Sequence, residues 1–87
     1  MSLPSNAQPL ATALQLGHLL RAARKRRKLT QAEVAGRLGL SQNRVSHLEL
    51  HPEQLSFKQL LAWCAVVGLE LHLAERGASA VTATAEW

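Results

Sequence analysis

The spacing of apolar positions changes character several times along the chain, and each change marks an element. Met1 to Pro9 holds two prolines, two serines and an asparagine and reads as an irregular arm. From Leu10 onward, Leu10, Leu14, Gly17, Leu20 and Arg24 recur at three- and four-residue steps. Ala13, Leu16, Leu19 and Ala23 widen that stripe, which predicts a helix of about sixteen residues. Thr30 followed by Glu33 is the pattern of a capping box opening a second helix. Its inner face would be Ala32, Val34, Ala35 and Leu38, and Gly39 would end it in a left-handed conformation. Ser41 caps a short third helix with Val45 and Leu48 inward. Leu50, His51, Pro52 and Glu53 break the pattern. Ser56 then caps a fourth helix from Phe57 to about Val67, with Phe57, Leu60, Leu61, Cys64 and Val67 inward and Gly68 at its end.

Beyond Gly68 the period falls to two. Leu69-Glu70-Leu71-His72-Leu73 alternates apolar and polar residues as a half-buried strand does. A lone strand leaves a row of backbone groups unpaired, so pairing with a second copy across a two-fold axis is the economical expectation. Residues 77–87 are rich in Ala, Thr and Ser and are expected to form a mobile tail. Its terminal Trp87 gains nothing in water and is a candidate partner contact. The expected organisation is therefore an arm over residues 1–9, one domain over residues 10–76 and a tail over residues 77–87.

Charge sharpens this picture. The net charge of the 87 residues is +4, from ten Lys or Arg against six Asp or Glu. Residues 1–20 carry no charged side chain, residues 21–44 a balance of +7 and residues 45–87 a balance of −3. A small domain so polarised presents a cationic face suited to a polyanion. Five cations crowd the end of the first helix, at Arg24, Lys25, Arg26, Arg27 and Lys28. Compensating the helix dipole needs fewer. One Phe, two Trp and no Tyr argue against a single-strand binder, which stacks bases on aromatic side chains. A single cysteine excludes an internal disulfide and suits a reducing cytoplasm. No apolar run approaches the ~18 residues of a membrane span, and no secretory signal pattern opens the chain.

The chemistry concentrates in residues 29–49, LTQAEVAGRLGLSQNRVSHLE. Two short capped helices joined by a glycine turn form a helix-turn-helix. With about 100° per residue and Gln42 at the origin, Val45 and Leu48 centre the buried side of the second of these helices near about 270°. Ser46, Asn43 and His47 fall near about 40°, 100° and 140°. Gln42, Asn43, Ser46 and His47 thus share the side away from the core, with Arg44 on the flank. Gln and Asn amides can pair bidentately with adenine, whereas Ser and His bond several base edges. The helix start at Ser41 also suits a phosphate.

The run Leu16-Gly17, Leu20-Arg21, Arg24, Leu29-Thr30-Gln31, Ala35, Gly39-Leu40-Ser41-Gln42, Val45-Ser46 and Glu49 resembles the Cro/C1-type (XRE) helix-turn-helix repressors, over about residues 16–68. The resemblance implies a lambda-repressor-like all-α fold of four to five short helices, with the C-terminal strand pairing across a homodimer. It implies that Gln31 contacts phosphate and braces Gln42, that Gln42 reads a base, and that Asn43 and His47 read its neighbours. Arg24 and Glu49 would form a partly buried ion pair between the first and third helices. Ser41, Arg44, Arg26, Arg27 and Lys28 are the remaining phosphate candidates. The stretch Gly68 to Leu73 and the terminus Glu86-Trp87 are similar to the HipB-type antitoxins of this family. For those the resemblance implies a strand made of Leu69, Leu71 and Leu73, autorepression of an operon at an inverted-repeat operator, and a HipA-like serine/threonine kinase toxin as partner. The heavy Arg24 to Lys28 run departs from the family pattern. The implied location is the bacterial cytoplasm, at the nucleoid.

Other constellations fail. His47 and His51 have metal-ligand spacing, but Pro52 ends the helix and no third ligand is suitably spaced. Cys64 lies on an apolar helical face, and His18 and His72 read as surface positions. A Ser/His/Asp triad is impossible because the chain contains no Asp, and no glycine-rich phosphate loop is present. Neither an enzyme nor a cofactor is expected. Gly17 should permit close helix packing. Three functions stay open: an antitoxin that represses its own operon, a stand-alone phage-type or chromosomal repressor, and an interaction module that no longer binds DNA.

Overall fold

The computed structural model describes residues 7–76. The expected mobile tail with Trp87, and most of the expected arm, lie outside the described residues. Four α-helices and one 3-10 turn follow in chain order: α1 (Ala13–Arg26), α2 (Gln31–Leu38), α3 (Gln42–Leu50), the turn Pro52–Gln54, and α4 (Phe57–Val67). Local chemistry sets these boundaries. Thr12 caps α1 by accepting from the Gln15 amide at 3.1 Å, and the Gln15 side chain accepts from the Ala11 amide at 2.8 Å. The helix therefore starts three residues later than apolar spacing suggests, and Leu10 lies outside it. The expected capping box at Thr30 forms in full, and Ser56, expected as a simple cap, forms a second one with Gln59. Gly39 and Gly68 close α2 and α4 at φ 70° and 79°.

The end of α1 is less comfortable. The Leu29 amide donates to the Arg24 carbonyl and the Lys28 amide to that of Lys25, at 3.1 and 2.9 Å. This closure places Lys28 at φ 57°, a region that costs a side-chain-bearing residue about 1 kcal/mol.

Leu20, Ala23, Val34, Ala35, Val45, Leu48, Trp63, Cys64 and Val67 form the core. Three faces differ from the expected ones. Gly17, Leu20, Ala23 and Arg24 define the buried arc of α1, and Leu14 sits about 110° from its centre, leaving it 65% exposed. Ala13, in the first turn, is exposed too. Ala32 is exposed because it lies about 115° from the arc of Val34, Ala35 and Leu38. In α4 the fully buried Trp63 rotates the inner face by about 45° from the Cys64-centred one. That turns Phe57 and Leu61 outward, to 65% and 45% exposure. The Trp63 indole nitrogen finds no acceptor among the described residues, and burying such a donor costs about 1–3 kcal/mol. Burial raises the pKa of the Cys64 thiol, which is packing material here.

No strand is present among the described residues. Residues 69–73 have no regular secondary structure. A strand exists through its ladder, and no partner segment lies beside this one among the described residues. The segment keeps a period of two, since His72 Nε2 and Glu70 Oε1 lie 3.3 Å apart on one side. Leu73 is 89% exposed.

Candidate nucleic-acid interface

The helix-turn-helix is α2, the Gly39 turn and α3. Thr30 and Glu33 fix its entrance: the Thr30 amide donates to Glu33 Oε1 at 2.9 Å, and the Glu33 amide to Thr30 Oγ1 at 3.0 Å. The Thr30 backbone amide first, then the Thr30 side chain, aided by Arg37, hold the Glu33 carboxyl below its ordinary pKa. The Leu40 amide donates back to the Ala35 carbonyl at 2.9 Å, so the turn is tied to α2. Ser41 Oγ accepts from the Arg44 amide at 3.1 Å, starting α3 and leaving the hydroxyl proton free to donate.

One side of α3 is seated deeply. Val45 and Leu48 are fully buried, and Glu49 is 6% exposed. Arg24 reaches across from α1 with a bidentate grip, Nε to Glu49 Oε2 at 2.7 Å and Nη2 to Oε1 at 3.2 Å. Its Nη1 donates to the Leu29 carbonyl at 3.0 Å. Gly17 faces the Glu49 carbonyl so closely that a Cβ there would lie 2.5 Å from the oxygen. The expected ion pair and the expected close approach at Gly17 are both present.

The opposite side is open. Gln42, Asn43, Arg44 and His47 are exposed, and Ser46 is half-buried. The helical projection from sequence thus holds for all four base-reading candidates. Gln31 differs in detail. It was expected to brace Gln42, but its Nε2 donates to Glu49 Oε1 at 3.1 Å, so the Gln31 side chain is tied to the buried carboxylate. A second N–H on the same nitrogen remains for a phosphate.

The cationic run also divides. Arg24 is buried; Lys25, Arg26 and Lys28 are exposed, with no carboxylate in ion-pair range among the described residues. The Arg27 guanidinium lies directly against Gly68, where a Cβ would overlap it. Arg27 therefore sits at the C-terminal end of α4, the negative end of that helix dipole.

One participant was not legible in the sequence. Gln54 Oε1 lies 2.9 Å from His47 Nε2, bringing the turn after α3 onto its outward face. No helical period links residues separated by a proline; Pro52 at the first position of a turn is the only local signal. The His47 and His51 rings lie 4.8 Å apart at 34°, and His51 Nδ1 lies 3.3 Å from Glu53 Oε2. Among the described residues no group of three or more His, Cys, Asp or Glu is placed to hold a metal ion. No helix there is long and apolar enough to cross a membrane.

Comparison with known proteins agrees with this geometry. The model of a family described as "Helix-turn-helix domain" matches residues 15–77. Among solved structures, the chain is similar to one in a HipA-HipB-O2-O3 complex, with a TM-score of 0.72 and 21% identity over 80% of this chain and 99% of that chain. It is also similar to a chain of a HipB-O1-O2 complex, with a TM-score of 0.70 and 22% identity over 79% of this chain and 100% of the other. No curated protein matches it by sequence.

Proposed function

This chain belongs to the helix-turn-helix domain family, in its Cro/C1 (XRE) branch, and from that premise we propose that it is a sequence-specific repressor of duplex DNA. The family is one of regulators and not of enzymes. The observation that carries the proposal is the division of α3. Val45, Leu48 and Glu49 are buried while Gln42, Asn43 and His47 are exposed and Ser46 half-exposed. Apart from Leu50 in the last turn, 68% exposed, the side chains of α3 that face away from the core are polar and able to bond base edges, on a helix narrow enough for the major groove. Gln42, Asn43, Ser46 and His47 read bases. Gln31, Ser41, Arg44, Arg26 and Lys28 hold phosphates, with Arg27 bound first to the end of α4.

The functional form is a homodimer in which Leu69, Leu71 and Leu73 pair with a second copy, on an inverted repeat with half-sites ~34–36 Å apart or a multiple of it. Supporting this are the unpartnered period-two segment and the outward Leu73. Binding across its own promoter excludes polymerase. The similarity to a chain of a HipA-HipB complex supports the further reading that the protein is an antitoxin, neutralising a HipA-like kinase in the bacterial cytoplasm.

Titrating the full chain on the DNA upstream of its own reading frame tests the proposal. A salt-sensitive shift is expected. Gln42→Ala should cost ~1–3 kcal/mol on that DNA and little on random duplex. Equal losses on both would show that Gln42 reads no base, and no shift at all would leave a module that does not bind DNA. Co-purification of a kinase encoded downstream separates the antitoxin from a stand-alone repressor. Deleting residues 69–73 should yield monomers, and a persistent dimer would place the interface elsewhere.

A further inference from the structure

The open side of α3 is not uniform. Gln42, Asn43 and Ser46 have no side-chain partner among the described residues, whereas His47 is held from two directions. We propose that Gln54, on the turn that follows α3, is a positioning residue for base reading. Its amide oxygen sets which nitrogen of His47 carries the proton and where the ring stands. The inference rests on α3 being the base-reading helix.

An amide oxygen can only accept, so the 2.9 Å contact requires His47 Nε2 to donate. In the neutral imidazole, Nδ1 is then a bare acceptor. In the major groove, adenine N6 and cytosine N4 are the donors, whereas guanine and thymine present acceptors. His47 held in this form accepts from adenine or cytosine and is repelled by guanine and thymine at the edge it meets.

The turn is built to hold that geometry. Pro52 is buried, and its ring packs beside Gly17 of α1, within 3.4–3.5 Å of where a Cβ would be. The two sides of His47 are then Gln54, through the hydrogen bond, and His51, through the tilted ring contact. His51 is in turn held by Glu53 of the same turn. A site supported by a second set of fixed groups is more selective than a free side chain. Helix α3 thus reads one base with help from outside the helix.

Selection from a library of duplexes randomised over about 24 base pairs, with the purified full chain, tests this whatever the operator sequence. His47→Ala identifies the base pair at which His47 acts. There the wild type should prefer adenine or cytosine by roughly 3- to 10-fold, the range of one hydrogen bond. Gln54→Ala should flatten that same base pair and leave the others unchanged. Adding His47→Ala to Gln54→Ala should change nothing further. In the free protein, imidazole 15N shifts should report a single Nε2–H form of His47 that becomes mixed in Gln54→Ala. An unaltered preference in Gln54→Ala, or a His47→Ala variant that flattens no base pair, would overturn the positioning role. A wild type that selects no sequence would overturn base reading itself, and with it this inference.

Discussion

Gly17→Ala and Gly36→Ala introduce the same methyl group into two helices and are expected to shift stability in opposite directions. At Gly17 the added Cβ would lie 2.5 Å from the Glu49 carbonyl oxygen and 3.4 and 3.5 Å from Pro52 Cγ and Cδ. Carbon and oxygen settle at about 3.3 Å or more, so α1 and α3 must part by roughly 0.8 Å. The Glu49 oxygen is backbone and the added Cβ is fixed to the backbone of α1, so no rotamer relieves the clash. Overpacking of this kind costs about 1–3 kcal/mol. Separating the helices also loosens the Arg24–Glu49 grip and the contacts of Leu20 and Leu48. Against that stands a helix-propensity gain of about 1 kcal/mol. Overpacking less propensity leaves about 0–2 kcal/mol, and the loosened contacts put the expected net loss toward the upper end. At Gly36 nothing lies within 4 Å of the new methyl, so only the propensity gain remains, about 0.5–1 kcal/mol. For a domain this small, 1 kcal/mol moves Tm by ~4–8 °C. Thermal and urea melts followed by circular dichroism, at one fixed protomer concentration, should therefore bracket the wild type. A Gly17→Ala variant melting at or above the wild type would refute the close approach.

Three further outcomes follow from other contacts. Arg24→Met strands the buried Glu49 carboxylate and should cost about 3–5 kcal/mol in urea unfolding, most of it recovered in the Arg24→Met/Glu49→Leu double variant; a double variant no better than the single would refute the pairing. Lys28→Gly relieves the left-handed residue and should stabilise by about 1 kcal/mol, while its salt dependence on DNA becomes shallower by ~0.9; an unchanged slope would remove Lys28 from the phosphate contacts. The folded-state pKa of Glu33 is depressed, so its contribution is present above the unfolded carboxyl's titration and is lost as pH falls through the folded value. Wild type should therefore weaken in acid relative to Glu33→Gln, whose capping box can still form. A difference that does not change with pH would show that the cap does not depend on the carboxylate.

What the sequence displayed best were features encoded by residues close together. Caps Thr30, Ser41 and Ser56 and stops Gly39 and Gly68 stand where their backbone bonds require them, and α2 and α4 begin and end as their spacing suggests. The outward face of α3 followed from a period alone. Contacts between distant residues were less visible. Leu14, Phe57 and Leu61 read as core because apolar periodicity does not reveal which large side chain wins the centre; Trp63 does, and it rotates α4. Gln31 was expected beside Gln42 but follows the stronger acceptor, the buried Glu49 carboxylate. Gln54 was invisible because its partner lies across a proline-led reversal. The pairing of residues 69–73 is written in alternation, yet a ladder needs a second strand, and none is present among the described residues.

The division of α3 bears on how such a protein acquires new targets. Val45, Leu48 and Glu49 seat the helix, and Gly17 sets its depth. Gln42, Asn43 and Ser46 make no side-chain hydrogen bond to that seat among the described residues, although Ser46 is half-buried beside it. Exchanges at Gln42 and Asn43, both exposed, are expected to change the fold's stability by no more than about 0.5 kcal/mol, so under the proposed base-reading role operator preference can drift there. His47 is bound to Gln54, and its exchange strands a partner. Under the proposed base-reading role, three positions of one short helix are loose type and the fourth is set in a pair.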